Sequence, residues 1–428
     1  MAPVVTPPRG MRDFLPGDKA RRERVLGVIR GAYAARGFDE IETPVLEDYD
    51  RLHSGLGGDN EKLAFSVLKR GLTADDLAAA ADPLALADLG LRFDLTVPLA
   101  RFYASHRAEL PSVFRSIQIG PVWRAERPQK GRYRQFVQCD IDIIGEAGGI
   151  AEVELIMATA AALDALGLTG CTIRVNDRRL LVSALTILGF PPKVHDAVLI
   201  TLDKLDKIGE AGVIAELRER AFPDQPVEAL EAFFRRAPTA PDAFGEDAIR
   251  AALPAGVDAV AVSELAAIGL AVEIARGGGR AIVKFDPWLV RGMGYYTGAI
   301  FEVAHPSLGY SLGGGGRYDG MIGRFLGSDV PAVGFSLGFE RLVDLVDLDA
   351  DSSADAVALI HDPGISPAEL LLLQSDLIAG GKRVRLERRP RNLKPLLEQL
   401  AATGFGSYAL VEPGATVALL EFREFTDQ

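Results

Sequence analysis

One stretch, PVWRAERPQKGRYRQFVQCDIDIIG (Pro121 to Gly145), constrains the possible folds of this chain most tightly. Its second half alternates with a period of two. Val137, Cys139, Ile141 and Ile143 fall on one face of a strand, and Gln138, Asp140 and Asp142 fall on the other. The approach to it alternates likewise, with Phe114, Ser116, Gln118 and Gly120 set against Arg115, Ile117, Ile119 and Pro121, leading to Val122-Trp123. Between the two strands lies a loop carrying Arg124, Arg127, Lys130, Arg132 and Arg134 against one acid, Glu126. A polar strand face is ordinarily a sheet surface over water. Here a cationic loop folds back over the same face. A floor of carboxylate and amide roofed by guanidinium groups suits a site that holds an amino group and a polyphosphate together.

With 428 residues the chain has room for two or three domains and a large core. At 48% hydrophobic and 25% charged residues it reads as a soluble globular protein. No apolar run approaches the ~20 residues of a membrane span. The start, MAPVVTPPRG, lacks the cationic-then-apolar order of a secretory signal. Cys139 and Cys171 have no metal-ligand spacing, and a chain of this size needs no disulfide staple. These features point to a cytoplasmic protein without structural zinc. The net charge of -12 argues against indiscriminate nucleic-acid binding but permits local basic footprints. There are two, the loop just described and GKRVRLERRPRNLK near the C-terminus.

Taken in order, helical spacing of Val25, Val28, Ile29, Ala32 and Tyr33 predicts a helix from about Asp18 to Arg36, stopped at Gly37. FDEIETPVLE reads as one strand containing Pro44, hence a plain edge or a dimer seam. Residues 54–90 read as a Gly-rich turn and a peripheral helical excursion. In LRFDLTVPLARF, a strand would project Asp94 and Thr96 to one face beside Arg92, with Pro98 opening a helix. AEVELIMATAAALDALG is a buried helix, and Cys171 to Val175 a short strand. Residues 178–280 turn helix-rich and read as an inserted helical domain, its LDKLDKIGE segment a solvated amphipathic helix. The sheet resumes at Ile282, and the stretch that follows contains Arg291, the pair Tyr295 and Tyr296, and an alternating strand to Val303. GGGGRYDG lacks the order of a P-loop; its glycines more plausibly admit a neighbouring strand or ligand close to the backbone. PAVGFSLGFERLVDLV gives a strand and a helix with Arg341 near its start, a setting that suits an anion. The run around 350–355 reads as a linker, and β-α-β-α-β follows with a basic second strand.

These residues resemble class II aminoacyl-tRNA synthetases, and among them the histidyl-tRNA synthetase family. GFDEIETPVLE looks like motif 1, WRAERPQKGRYRQF like motif 2 and GFSLGFERL like motif 3. LVRGMGYYTG and GGGGRYDG resemble the two histidine signatures, and RFDLTVP with QCDIDI resembles the branch that uses aspartate where other members use glutamate. The resemblance implies an α/β (α+β) fold, an antiparallel sheet flanked by helices, in four parts: residues 1–177 and 281–348 as the catalytic domain, 178–280 as a helical insertion, and 356–428 as a shortened anticodon-binding-like module. It implies a homodimeric ligase that activates histidine with ATP and Mg²⁺ and transfers it to the 3′ end of tRNA(His). By motif match, Arg124 would hold the α-phosphate and attacking carboxylate, Glu126 the adenine amino group, and Phe136 the adenine ring. Arg341 would stack on the adenine or bind the γ-phosphate, Arg132 would assist at the phosphates, and Arg291 would stabilise the transition state. Asp94, Thr96 and Gln138 would take the α-amino group of histidine, and Asp142 and Tyr296 the imidazole nitrogens, with Tyr295 at the pocket wall or in packing. A carboxylate and a phenol can read both ring nitrogens.

Two departures from the family pattern stand out. Gly294 occupies a position usually acidic, which removes a carboxylate behind the tyrosines and leaves the support of Arg291 open. The C-terminal module ends after LLEFREF, where the family carries a further helix. Its basic segment, Lys382, Arg383, Arg385, Arg388, Arg389, Arg391 and Lys394 against Glu387, is expected to contact tRNA phosphates. The alternative reading is a non-catalytic paralogue, the regulatory subunit of ATP phosphoribosyltransferase. An intact RAERPQKGRYR and a basic C-terminal module weigh against it.

Overall fold

The protein is described by a computed structural model covering residues 5–53, 63–128, 131–235, 244–277, 282–291, 294–347 and 355–425. Eight strands form one sheet in the spatial order Asp39–Glu40, Phe114–Trp123, Gln135–Ile144, Ala332–Gly338, Gly313–Arg317, Ala299–Ala304, Thr172–Asp177, Val283–Phe285. Only the outermost pair at each end runs parallel; every interior pairing is antiparallel. The class II-like α+β architecture expected from the sequence is therefore present.

One face of this sheet is apolar. Cys139, Ile141, Ile143, Val333, Leu337, Val303, Ile173 and Val175 are buried there, and the helix Ile150–Ala165 packs against the strand Ala332–Gly338. Gly315 lies opposite both Phe301 and Phe335, whose rings stack 5.6 Å apart. Strands two places apart are separated by roughly 9–10 Å, so the two rings lean together over the space the glycine leaves. With one face committed to the core, period-two alternation forces the intervening residues onto the other face, which is polar.

The helix expected near Asp18 runs Pro16–Ala34, and Gly37 adopts the positive φ of a helix stop. Several expectations are corrected. FDEIETPVLE is not one strand: Asp39–Glu40 edges the large sheet, and Leu46–Asp48 joins a separate three-stranded sheet. The break falls at Thr43-Pro44, whose carbonyls are taken by Arg92. The peripheral excursion is only partly helical, because Phe65–Leu68 and Ala87–Leu91 form strands of that smaller sheet around the helix Ala74–Ala79. The Gly-rich turn before it lies outside the described residues, as does most of the 350–355 run. Asp94 and Thr96 are not on a strand. The helix begins at Thr96, Pro98 is its third residue, and the Asp94 carboxylate accepts from the Val97 N–H at 3.2 Å.

Between 178 and 277 every regular element is helical, from Arg178–Ile187 to Ala259–Ala275. This stretch shares one compact unit, residues 1–12 and 26–346, with the sheet. LDKLDKIGE, read as a solvated amphipathic helix, is largely exposed as expected but is not one continuous helix. Gly209 (φ 67°, ψ 173°) breaks Leu205–Glu219 near its start, and Asp203, Asp206 and Lys207 line the cavity described below. The second unit, residues 13–25 and 347–428, contains the expected β-α-β-α-β, with Arg383–Arg388, Ala356–His361 and Ser407–Val411 parallel and Arg423–Glu424 added antiparallel. Its core is Val357, Leu359, Leu370, Leu373, Leu377, Ala409 and Val411.

Candidate active site

The polar sheet face is organised in rows of residues that stand directly opposite one another. One row runs Gln118, Asp140, Ser336, Gly314, Glu302, Arg174 across six strands. The next runs Ser116, Asp142, Gly334, Gly316, Ile300, Asn176. Glycine stands in both rows where bulkier neighbours must lie down on the sheet. A Cβ on Gly314 would fall 2.7 Å from the Arg291 guanidinium carbon, one on Gly316 2.8 Å from Tyr296 Cδ1, and one on Gly334 1.9 Å from Asp142 Oδ1. None of the three has positive φ. They serve close approach rather than an unusual backbone.

Above these rows is a cavity of about 740 Å³. Asp94, Thr96, Arg124, Glu126, Arg132, Phe136, Gln138, Asp142, Arg291, Tyr295, Tyr296 and Arg341, the whole set named from the sequence, line it together.

Its acidic end holds three carboxylates. Burial, then the neighbouring Asp142, pushes Asp140 well above the usual carboxylate range. Burial raises Asp142 to about 7, with a bond from the Tyr318 hydroxyl (2.6 Å) opposing and Asp94 adding to the rise. Gln138 donates to Ser336 Oγ at 2.9 Å, while its buried amide oxygen has no partner. An orphan acceptor beside crowded carboxylates is a place for a cationic donor. Tyr295 packs between Tyr296 (4.8 Å) and Tyr318 (6.1 Å), closing the wall.

Its basic end is held by backbone carbonyls. Arg124 Nε donates to Phe93 O at 2.9 Å, and the guanidinium lies 5.2 Å from the Phe136 ring centroid. Arg341 donates to the carbonyls of Ser311 and Gly131 and lies 4.9 Å from the Tyr310 ring centroid. Burial, then the nearby Arg132 charge, lowers the Arg341 pKa. Arg132 Nη1 bonds Glu126 Oε2 at 3.2 Å, leaving the other carboxylate oxygen for a donor. Glu340 bridges Arg12 and the Val137 N–H, which ties the helix Phe339–Val343 to the acidic strand. Lys130 of the cationic loop lies outside the described residues.

Arg291 lies between the two ends. Burial opposes its charge, but Tyr296, Glu302 and Asp203 outweigh that and hold it above its ordinary value. Glu302 Oε2 accepts from Arg291 Nη1 at 2.9 Å. The support that Gly294 cannot provide thus comes from a strand eight residues further on; a Cβ at Gly294 would meet nothing within 4 Å.

The histidyl-tRNA synthetase family profile matches residues 10–342. The chain belongs to that family. A histidine–tRNA ligase of Leifsonia xyli is 60% identical over the full length of both chains. Among solved structures, histidyl-tRNA synthetase from a Nostoc species superposes with a TM-score of 0.76 at 25% identity, covering 98% of this chain and 95% of that one. A Bacillus halodurans protein described as an ATP phosphoribosyltransferase regulatory subunit/histidyl-tRNA synthetase has a TM-score of 0.75 at 22% identity, covering 96% and 98%, and speaks to the fold alone.

Seen as a synthetase, the cavity contains residues that the sequence reading did not assign. Asp140 was visible in the alternation. Tyr318 lies within the signature GGGGRYDG and could have been suspected from it. Glu302, Asp203, Asp206 and Lys207 carried no local signal, because their place depends on strand register and on the break at Gly209.

Proposed function

We infer that the protein is a histidine–tRNA ligase. It joins histidine to the α-phosphorus of ATP, releasing pyrophosphate, and then passes the histidyl group to a ribose hydroxyl at the 3′ end of tRNA(His). One observation carries this reading: a single cavity is lined by the carboxylates Asp94, Asp140 and Asp142, which suit an ammonium group, by the guanidinium groups of Arg124, Arg132 and Arg341, which suit a polyphosphate, and by Arg291.

The roles carried over by motif match are supported by the meeting of these residues in one cavity. Asp94, Thr96 and the orphan oxygen of Gln138 receive the α-ammonium group. Asp142 accepts from one imidazole N–H, its orientation fixed by Tyr318, and Tyr296 meets the other nitrogen, so a side chain unable to make both bonds leaves buried polar groups unpaired. Arg124, oriented through Nε, turns its Nη nitrogens to the α-phosphate and the attacking carboxylate. Phe136 and Arg341 sandwich the adenine, Glu126 accepts from its amino group, and Arg132 neutralises phosphate oxygens. The attacking group and ATP are both anionic, so catalysis here is positioning and charge neutralisation. Arg291 neutralises charge growing on the α-phosphate as the carboxylate oxygen bonds phosphorus and the bond to the β-phosphate oxygen breaks.

Mg²⁺ fits this site as a companion of ATP. Among the described residues no cluster of three metal-ligating side chains exists, so the ion would be held largely by phosphate oxygens and water, with Glu340 and Glu126 within the same cavity. When bound it supplies charge neutralisation to the leaving pyrophosphate.

The parts 178–280 and 356–428 are taken as a helical insertion and a tRNA-contacting module, and the edge strand Asp39–Glu40 as part of a homodimer seam. No helix among the described residues is long and apolar enough to cross a membrane. Histidine-dependent exchange of pyrophosphate into ATP with Mg²⁺, followed by charging of tRNA(His), tests the reading. A purified protein that binds histidine but exchanges no pyrophosphate would instead support a regulatory role.

A further inference from the structure

We propose that Arg174 and Asp206 are positioning residues for Arg291: Arg174 acts through Glu302, the carboxylate it shares with Arg291, and Asp206 acts by holding Arg174. The inference rests on the adenylation reading above.

Arg174 and Glu302 are opposite one another on adjacent strands, and Gly314 is opposite Glu302 on the next. The row therefore presents cation, anion and vacant space in sequence, and Arg291 occupies the vacancy. Glu302 divides its two oxygens, Oε1 accepting from Arg174 Nη1 at 3.1 Å and Oε2 from Arg291 Nη1 at 2.9 Å. A carboxylate bound at one oxygen alone could rotate about its terminal torsion, which is broad for glutamate. Bound at both, it presents Oε2 in one direction.

Arg174 is itself fixed. Its Nε donates to Asp286 Oδ2 at 2.6 Å and its Nη1 to Asp206 Oδ2 at 2.6 Å. Asp286 follows the last strand of the sheet, and Asp206 belongs to the helical stretch, in the turn between Asp203 and Gly209. Asp203, from the same turn, faces Arg291 and Lys207 electrostatically. Three carboxylates, Asp206, Asp286 and Glu302, pair with this one arginine. The arrangement makes sense if Arg174 serves as a fixed post between helical stretch and reaction centre. The break at Gly209, where a Cβ would touch nothing within 4 Å, separates this turn from the rest of its helix.

The test is pyrophosphate exchange by the full-length protein carrying Asp206→Asn, Arg174→Lys or Glu302→Gln, with the melting temperature of each recorded. Asp206 is the most exposed of the group, so Asp206→Asn is the variant least prone to misfold. Expected are kcat losses of about 3- to 10-fold for Asp206→Asn and about 100-fold for Glu302→Gln, with KM for histidine within about twofold of its original value and partial recovery in Asp206→Glu. The same changes are then made in an Arg291→Lys background. Residues that act only through Arg291 lose most of their effect there. Full multiplicative losses in that background, or unchanged kcat with exchange intact in the parent, would overturn the proposal while leaving the ligase reading in place. A parent protein with no exchange would remove both.

Discussion

The Cβ that Gly314 lacks would lie 2.7 Å from the guanidinium carbon of Arg291. The glycine is thus the seat of the arginine to which we assign stabilisation of the transition state. Gly314→Ala is expected to displace that guanidinium and lower kcat for pyrophosphate exchange by about 100-fold or more, since a misplacement of ~1 Å can have that effect. The same Cβ would lie 2.5 Å from Phe301 O, so a lower melting temperature should accompany the loss. A variant that folds and exchanges at the parental rate would show that Arg291 does not need this place.

Arg291→Ala removes the group between the two substrates' charges. Adenylation should fall by about 100- to 1000-fold, the scale on which removal of one transition-state donor acts. Histidine affinity, set at the carboxylate end of the cavity, should change little. Calorimetric titration with histidine separates the two, and an equal loss of affinity and rate would place the side chain in the histidine pocket instead.

Asp142 makes the site sensitive to pH. Burial places its pKa near 7, against 3.8 for an ordinary aspartate. As pH falls through 7 the carboxylate takes up a proton and can no longer accept from the imidazole N–H, so KM for histidine should rise about tenfold between pH 8 and pH 6. Tyr295, Tyr318, Asp94 and Asp140 surround it, and none of these brings a positive charge to counter the rise.

Stability responds in the opposite sense. Between its unfolded value and about 7 the folded protein holds a proton that the unfolded chain does not, so this residue's contribution to stability falls as pH rises across that window. Asp142→Asn should therefore raise the melting temperature at pH 8 while abolishing histidine binding. A variant less stable than its parent at pH 8 would mean that Asp142 is held as an unstrained anion.

The basic strand of the C-terminal unit presents Arg383 and Arg385 against the Phe405 ring, at 4.9 and 4.6 Å, and Arg389 beside Asp362 at 3.6 Å. Arg388 and Arg391 are exposed. Reversing both, Arg388→Glu with Arg391→Glu, should raise KM for tRNA about tenfold at moderate salt, flatten its salt dependence, and leave pyrophosphate exchange untouched. Unaltered charging would reduce the segment to ordinary surface.

Local pattern was enough to read the acidic strand, its apolar reverse face, the buried helix Ile150–Ala165 and the β-α-β-α-β unit, because period two and period 3.6 are written in neighbouring residues. It was enough, too, to name the set of side chains that meets in the cavity, once the ordered signatures were recognised. Only the tertiary structure placed Arg174 opposite Glu302, 128 residues away, or laid Arg291, Tyr296 and Asp142 over glycines of neighbouring strands. Asp94 reads locally as a strand residue, and nothing near Asp203–Lys207 records that this exposed segment meets Arg174 and Arg291. Periodicity states which way a side chain points. Strand register and chain reversal, which join distant segments, decide what it finds there.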